Sequence, residues 1–538
     1  MSESFTIASM FTDHMVLQQQ TPIPVWGRGP EGGRVTVSLP GQMETAVVSG
    51  GDWIVRLASM QAGGPYEMTI CLDNPAAVGK DTDTFADTDQ NAYSNIRLSD
   101  IWIGEVWLAG GQSNMVQPLL VVEGGIEAAA KADYPCIRFF TTPRRPYHGA
   151  VVPGWDFIGT LSEDADWQVC TPETALHVTG IGYYFAEFLQ HAREVPVGII
   201  SCCWGATPAQ AWMSESWLKR SPRLKPLWDA FTEHTAALDK NEYDREYDRY
   251  VEDMYRLIEE RGDIAGKVRE LGLDGYRRWV SAHPLVWPDQ PYSHKSPERP
   301  CGLYETMLQT VAPYAIRGVL WYQGEANANR AEAVLYRELL TGLIANWREA
   351  WDSPELPFLI VQLSSFAWLG NPDGEIWPVI REAQEAVAND VPHTALIVTI
   401  DCGQRDDIHP VDKRTVAERL ALAARAKAYG EDASYSGPRY LDMAVEGRKA
   451  IIAFDPDSVQ PCASSGALSG FTICGDDRRF VPADARFSGN RVEVSSPDVD
   501  APVAVRYAWS NMPAASVKGN NGIPAAPFRT DDFDIQLA

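Results

Sequence analysis

The sequence predicts an α/β protein, a parallel sheet flanked by helices, with β-rich regions at both ends of the chain. Three observations predict it. From about residue 101, short apolar runs alternate with helical stretches. Before about residue 95 and after about residue 429, the chain breaks into short strands punctuated by Gly, Pro and Asp. Its 538 residues exceed the span of one hydrophobic core. The expected division is residues 1–95, 96–430 and 431–538.

In chain order, Arg34–Leu39 (RVTVSL) and Tyr66–Leu72 (YEMTICL) read as strands of a small β-sandwich. Ile101–Leu108, Val197–Ser201, Gly318–Trp321, Phe358–Gln362 and Ala395–Ile400 read as strands separated by helices, the pattern of βαβ units. Residues 217–300 depart from this plan: the stretch is long, charged and helical. Tyr243, Tyr247, Tyr250, Val251, Met254 and Ile258 fall on one helical face there. That face is either packed against a core, or the whole insertion is a cap over an active site. Lys449–Phe454 and Arg491–Val494 return to short strands, expected to pack with the N-terminal β region as one accessory unit.

Composition excludes several classes. A formal net charge of −26 argues against nucleic acid, whose phosphates demand clustered Lys and Arg. No apolar run is long enough to span a membrane. The opening MSESFTIASMFTDHMVLQQ has no basic segment followed by an apolar core, so it does not read as a secretory signal. Nine cysteines, an odd number without any C-x-x-C, suit reduced thiols, and a cytoplasmic location is expected. The nine histidines are dispersed and no HExxH occurs, so neither a metal nor another cofactor is expected.

Four segments carry the chemistry, each following an apolar strand. AGGQSNM (Ala109–Met115) places Ser113 on a Gly-rich turn at the carboxyl edge of the sheet, where open α/β folds bind ligands. The backbone N–H of Ser113 is then a candidate oxyanion donor. Gly111-Gln112-Ser113-Asn114-Met115 is not G-x-S-x-G, which disfavours the α/β-hydrolase elbow. Asp406-Asp407-Ile408-His409-Pro410 offers a histidine at a loop–helix junction, with Pro410 suited to the first helical turn. A neutral imidazole at His409 activates a serine hydroxyl, and an acid on its other nitrogen fixes the tautomer. Asp406, three residues earlier, is the first candidate for that acid, and Asp407 its rival. Ser201–Thr207 offers the Gly205 N–H, and Trp321–Asn327 offers the Gln323 amide, as further oxyanion donors. Glu325, beside Gln323, is a third candidate acid.

In this order the four segments resemble the SGNH/GDSL hydrolases, and specifically the sialate O-acetylesterase family. The resemblance spans nearly the whole chain, through DHMVLQQ, PVWG, GQSNM, WGATPAQAW, RPCGLYETML, GVLWYQGEANA, WPVIREAQ, DDIHP, YSGP and GIPAAPFRTD. It implies an SGNH-type sheet and removal of O-acetyl groups from a mono- or oligosaccharide. It also implies Ser113 as nucleophile, His409 as base, and Ser113, Gly205 and Gln323 as oxyanion donors, with Asp406 or Glu325 as the acid. WGATPAQAW departs from the commoner GGT form of the third segment.

Two other classes compete. A glycoside hydrolase needs paired carboxylates as acid and nucleophile, and Ser113 would be dispensable. A non-catalytic carbohydrate-binding protein needs only stacking aromatics, for which Trp212, Trp217, Trp287, Trp368 and Trp377 are candidates, although Trp more often packs in a core. Within the esterase class, acetylated xylan or xyloglucan oligosaccharides compete with sialic acid as substrate.

Overall fold

The computed structural model describes residues 4–73, 93–148, 165–283, 286–462 and 466–535. Seven strands form its central sheet: β1 (Tyr93–Gly111), β2 (Tyr134–Thr141), β3 (Gln168–Cys170), β4 (Val197–Cys203), β5 (Gly318–Tyr322), β6 (Phe358–Val361) and β7 (Thr394–Ile397). Their spatial order is β3-β2-β4-β1-β5-β6-β7. Neighbours are parallel throughout, except that β3 runs against β2. β5 and β6 are buried at every position. That explains why they read as continuous apolar runs: both faces of a parallel sheet lie under helices. β2 and β3 escaped the sequence reading. YPCIRFFT opens on polar and small residues, and QVC is too short to show a period.

Eight helices matter here: α1 (Ser113–Val116), α2 (Gly180–Arg193), α3 (Lys225–Ala236), α4 (Lys240–Arg261), α5 (Ile264–Ala282), α6 (Tyr336–Ala350), α7 (Ile376–Asp390) and α8 (Lys413–Tyr429). α2 packs on α8 and β4, while α7 packs on α6 and β7. Strands β2 to β4 lie on one side of β1 and β5 to β7 on the other. The direction of winding therefore reverses at β1, and the carboxyl ends of β1, β4 and β5 frame a crevice.

The first half of β1 leaves the central sheet and pairs antiparallel with Gly63–Asp73 in the N-terminal β region. There Val25, Trp53 and Val55 from one sheet, and Val35, Val37 and Ile70 from the other, are buried in a core continuous with that of the α/β region. The C-terminal β region forms two four-stranded sheets around a separate core that includes Val398 and Ile400, just beyond β7. The expectation that the two β regions share one accessory unit is corrected by this division. The N-terminal region is fastened by a shared strand, the C-terminal one by apolar packing on the chain that leaves β7.

Within the insertion, the tyrosine stripe of α4 is a packed face. Tyr243, Tyr247, Tyr250, Met254 and Leu257 form a small buried cluster of their own, against which Tyr147 packs. α5 behaves differently. It breaks at Gly272, where φ is +69°, and its Ile264, Val268 and Tyr276 join the main core.

Candidate active site

β1 ends on Gly111, whose φ of +128° belongs to the region glycine tolerates. A Cβ there would lie 2.1 Å from the Tyr322 carbonyl oxygen, so glycine is required on steric grounds as well. Gln112 remains extended and Ser113 opens the single turn α1. As the first residue of a helix, Ser113 has a backbone N–H without an intrahelical acceptor, pointing from the positive end of the helix. The Trp204 N–H bonds the Gly111 carbonyl at 3.1 Å and ties the end of β4 to the serine turn. Gly205 follows; a Cβ built on it would meet Ser113 Cβ at 3.5 Å. That is ordinary van der Waals contact, so Gly205 packs against the serine without a steric demand for glycine. Ala206 holds φ at +59°, a left-handed conformation that costs a non-glycine residue on the order of 1–2 kcal/mol. Such local strain is often concentrated at working sites.

His409 lies on a loop between β7 and α8, and its Nε2 is 2.8 Å from Ser113 Oγ. Their separation in sequence is 296 residues, so the fold alone brings them together. Burial first, then the Lys413 ammonium, lower the imidazole pKa below its ordinary value, while Asp407 opposes the shift. A quarter of the side chain stays open to solvent, which moderates the effect. The structure therefore favours the neutral, proton-accepting imidazole near neutral pH.

The acid nearest this imidazole is Asp407. Its Oδ1 accepts the His409 backbone N–H at 2.8 Å and lies 4.0 Å from Nδ1. Asp406 is corrected as the first candidate: its side chain is 91 % exposed and its nearest cation is Arg405, at 3.9 Å. The physical reason is a bend over residues 405–409, which turns the carboxylate two residues back toward the imidazole and the one three back toward solvent. Glu325 is also close but one step removed. Its buried Oε1 accepts the Asn114 Nδ2 at 2.6 Å, and the same amide donates to the Ile408 carbonyl at 3.0 Å. Lys413, fully buried at the start of α8, donates to Asn114 Oδ1 at 2.6 Å. Burial lowers its pKa to about 7 and raises that of Glu325. Asn114 therefore couples the serine turn to the histidine loop and to a Lys–Glu couple beneath both.

Gln323 is corrected in its detailed role. The residue is fully buried, and its Nε2 lies at 2.8 Å from Asn327 Oδ1 and 3.2 Å from both the Thr207 carbonyl and Gln112 Oε1. Tyr336 donates to its Oε1 at 2.8 Å. An amide nitrogen has two protons, and these acceptors take them, so Gln323 braces the Gln112 and Thr207 turns. The backbones of Ser113 and Gly205 lie side by side at this edge of the sheet.

Three residues escaped the sequence reading. Asn114 and Lys413 sit beside motif residues, yet their partnership spans 299 residues. Arg277 comes from α5 and bonds Asp407 Oδ2 at 2.5 Å. Pro410 also falls outside its expected place: α8 begins at Lys413, capped by Asp412, which accepts the Thr415 N–H at 3.0 Å. A cavity of about 540 Å³ opens against His409, walled by Gln117 and Val121 on one side, Tyr276, Arg277 and Val280 of α5 on another, and Arg405 and Asp407 on the loop. None of the five tryptophans read as stacking candidates lines it; Trp212 and Trp377 are core residues. Among the described residues, no cluster of His, Cys, Asp and Glu could hold a metal ion.

Residues 294–426 match the family model described as a carbohydrate esterase, sialic acid-specific acetylesterase. The rat sialate O-acetylesterase is 27 % identical over 97 % of this chain and 94 % of its own length. The human sialate O-acetylesterase is 26 % identical over 97 % and 92 %. The crystal structure of a carbohydrate acetylesterase from Xanthomonas citri is 33 % identical, superimposes with a TM-score of 0.74, and covers 98 % of this chain and 100 % of its own.

Proposed function

This chain belongs to the sialate O-acetylesterase family of carbohydrate acetylesterases, and from that premise we propose that it hydrolyses O-acetyl esters of a sugar with Ser113 as nucleophile and His409 as base. The observation that carries the assignment is the 2.8 Å contact between Ser113 Oγ and His409 Nε2 at the switch point of the sheet.

In this mechanism neutral His409 takes the Ser113 hydroxyl proton as Oγ attacks the acetyl carbonyl carbon. The developing oxyanion is met by the N–H groups of Ser113 and Gly205, which are fixed before reaction and need no rearrangement. The imidazolium then returns the proton to the departing sugar oxygen, leaving an acetyl-serine and a free sugar hydroxyl. Water, deprotonated by the same imidazole, attacks the acetyl-serine, and the imidazolium protonates Ser113 Oγ as the Oγ–acyl bond breaks and acetate leaves. Asp407 favours the imidazolium formed in each half-reaction.

For the sugar we propose an O-acetylated sialic acid. Arg405 supports this reading, since its side chain borders the cavity, is 59 % exposed, and carries a guanidinium that can meet a sugar carboxylate. An acetylated neutral oligosaccharide is the competing outcome. The test is acetate release from a panel of acetylated sialic acids and acetylated plant oligosaccharides, with Ser113→Ala alongside. The variant is expected to fold normally, to lose at least about 10³-fold in kcat, and to resist labelling by a serine-directed phosphonate. Near-normal turnover by Ser113→Ala would refute the nucleophile, whereas preference for neutral oligosaccharides would refute only the substrate.

A further inference from the structure

The helical insertion reaches the histidine loop through one arginine. Arg277 on α5 donates from Nη2 to Asp407 Oδ2 at 2.5 Å and to Gln404 Oε1 at 2.8 Å, gripping the loop at two points. Residues 401–412 form neither helix nor strand, so no ladder of backbone bonds sets their shape. Other ties hold the loop along its length: the Ile408 carbonyl accepts from Asn114, and the Val411 carbonyl accepts the Glu123 N–H at 3.0 Å. Neither touches the Asp407 carboxylate. That carboxylate has Oδ1 on the His409 backbone N–H and Oδ2 on Arg277. With one oxygen tied, a carboxylate still swings about its Cβ–Cγ bond. With both tied, its plane is fixed and Oδ1 is kept on the Nδ1 side of the imidazole.

We propose that Arg277 is a positioning residue for acyl transfer: α5 clamps the Asp407 carboxylate and through it orients His409. The inference rests on the Ser113–His409 reading given above. It makes the insertion a working part of the active site, since α5 supplies both a wall of the cavity and the hold on the acid. The other charged groups around the imidazole are Lys413 on α8 and Arg405 and Asp406 on the loop, none of which bonds the Asp407 carboxylate.

Two alternatives make different predictions. An arginine that only docks α5 affects melting temperature and leaves turnover alone. An arginine that binds the sugar raises KM for the sugar and leaves a small aryl acetate, which carries no sugar, unaffected. The experiment measures kcat and KM for Arg277→Met, Arg277→Lys, Asp407→Asn and the Met/Asn double variant in the full chain. Each is assayed on an acetylated sugar and on p-nitrophenyl acetate, with melting temperatures as a control. The expected result for Arg277→Met is a fall in kcat of about ten-fold or more on both substrates, the usual scale for loss of a group that orients a catalytic one. Arg277→Lys, which keeps the charge, should recover part of it. The double variant should be no slower than Asp407→Asn alone, because the two act as one unit.

Unchanged kcat in Arg277→Met beside a crippled Asp407→Asn overturns the inference while leaving the acid assignment standing. A loss confined to KM for the sugar overturns it too. Full activity in Asp407→Asn shows instead that the acid assignment has failed, and the role of Arg277 falls with it.

Discussion

The turn that carries Ser113 and the loop that carries His409 solve the same problem by different means. The serine turn is an extension of the sheet. Gly111 and Gln112 sit against Tyr322 of β5, Trp204 bonds back to Gly111, and α1 begins at once. The histidine loop has no such frame. It is held by side chains that arrive from the serine turn, from α5 and from its own Asp407, and by single backbone bonds from Ala367 to Arg405 and from Glu123 to Val411. A site built this way has one rigid half and one half whose geometry is a consensus of distant contacts. Damage to the first is expected to be structural and large. Damage to the second is expected to be kinetic and graded.

The most severe test of the rigid half is Gly111→Ala. The added carbon would fall 2.1 Å from the Tyr322 carbonyl oxygen at a φ of +128°, so β1 and β5 must part where Ser113 is presented. The expected loss is roughly 3 kcal/mol of stability, from strain at a single backbone site. It should bring a fall in kcat on the order of 10³-fold, because both the proposed nucleophile and its proposed oxyanion donor would move. Chemical denaturation and acetate release check the two parts separately. Activity retained in a folded Gly111→Ala protein would show that the turn is not the rigid half.

Asp407→Asn tests the other half. Loss of the orienting acid costs on the order of 10⁴ in kcat in the serine-protease template. Here Asp407 stands 4.0 Å from Nδ1, an ion-pair separation, so a smaller loss is expected, on the order of 10²-fold. Asp406→Asn, at a side chain 91 % exposed, should stay within about three-fold. Steady-state kinetics on one acetylated sugar decide it. A larger effect from Asp406 than from Asp407 would mean that the loop rearranges when substrate binds.

The same contrast explains what was legible in the sequence. Arg34–Leu39 and Lys449–Phe454 match the short strands read between turn residues, and Ile101–Leu108 lies inside β1. The Gly-rich turn was legible because its rule is local: an apolar strand, a glycine that turns, then the serine. Whatever depends on distant partners was not. Asn114 and Lys413 meet across 299 residues, and Arg277 and Asp407 across 130. Nothing in the spacing of either pair marks it. The choice of Asp407 over Asp406 turned on a bend that neither composition nor period records. Gln323 was read correctly as sitting at a strand end, but three buried acceptors claim its amide, and two of them, Gln112 and Thr207, come from other segments.

The smallest expected effect is a shift along the pH axis, and it probes the Lys413 side of the loop. Only neutral His409 can accept the serine proton, so kcat/KM falls as the pH drops through the imidazole pKa. From sequence alone that limb belongs at roughly pH 6 to 7, the range of an ordinary imidazole. In the structure, burial and then Lys413 lower the value, with Asp407 in partial opposition, so the limb should lie below about pH 6.5. Stability follows with the same sign. The folded pKa is depressed, so the unfolded chain binds more protons below about pH 6.5, and the contribution of this histidine to stability is lost as pH falls from there. Lys413→Met removes the cation that disfavours the imidazolium, and its limb should move up by a fraction of a unit to about one unit. Removing Lys413 also strips Asn114 Oδ1 of its donor, so melting temperature is recorded beside the profile. The measurement is kcat/KM from about pH 4 to about pH 9 for both proteins, a window that brackets the imidazole range. A Lys413→Met limb that coincides with the parent's, in a protein of normal melting temperature, would mean that burial alone sets the base.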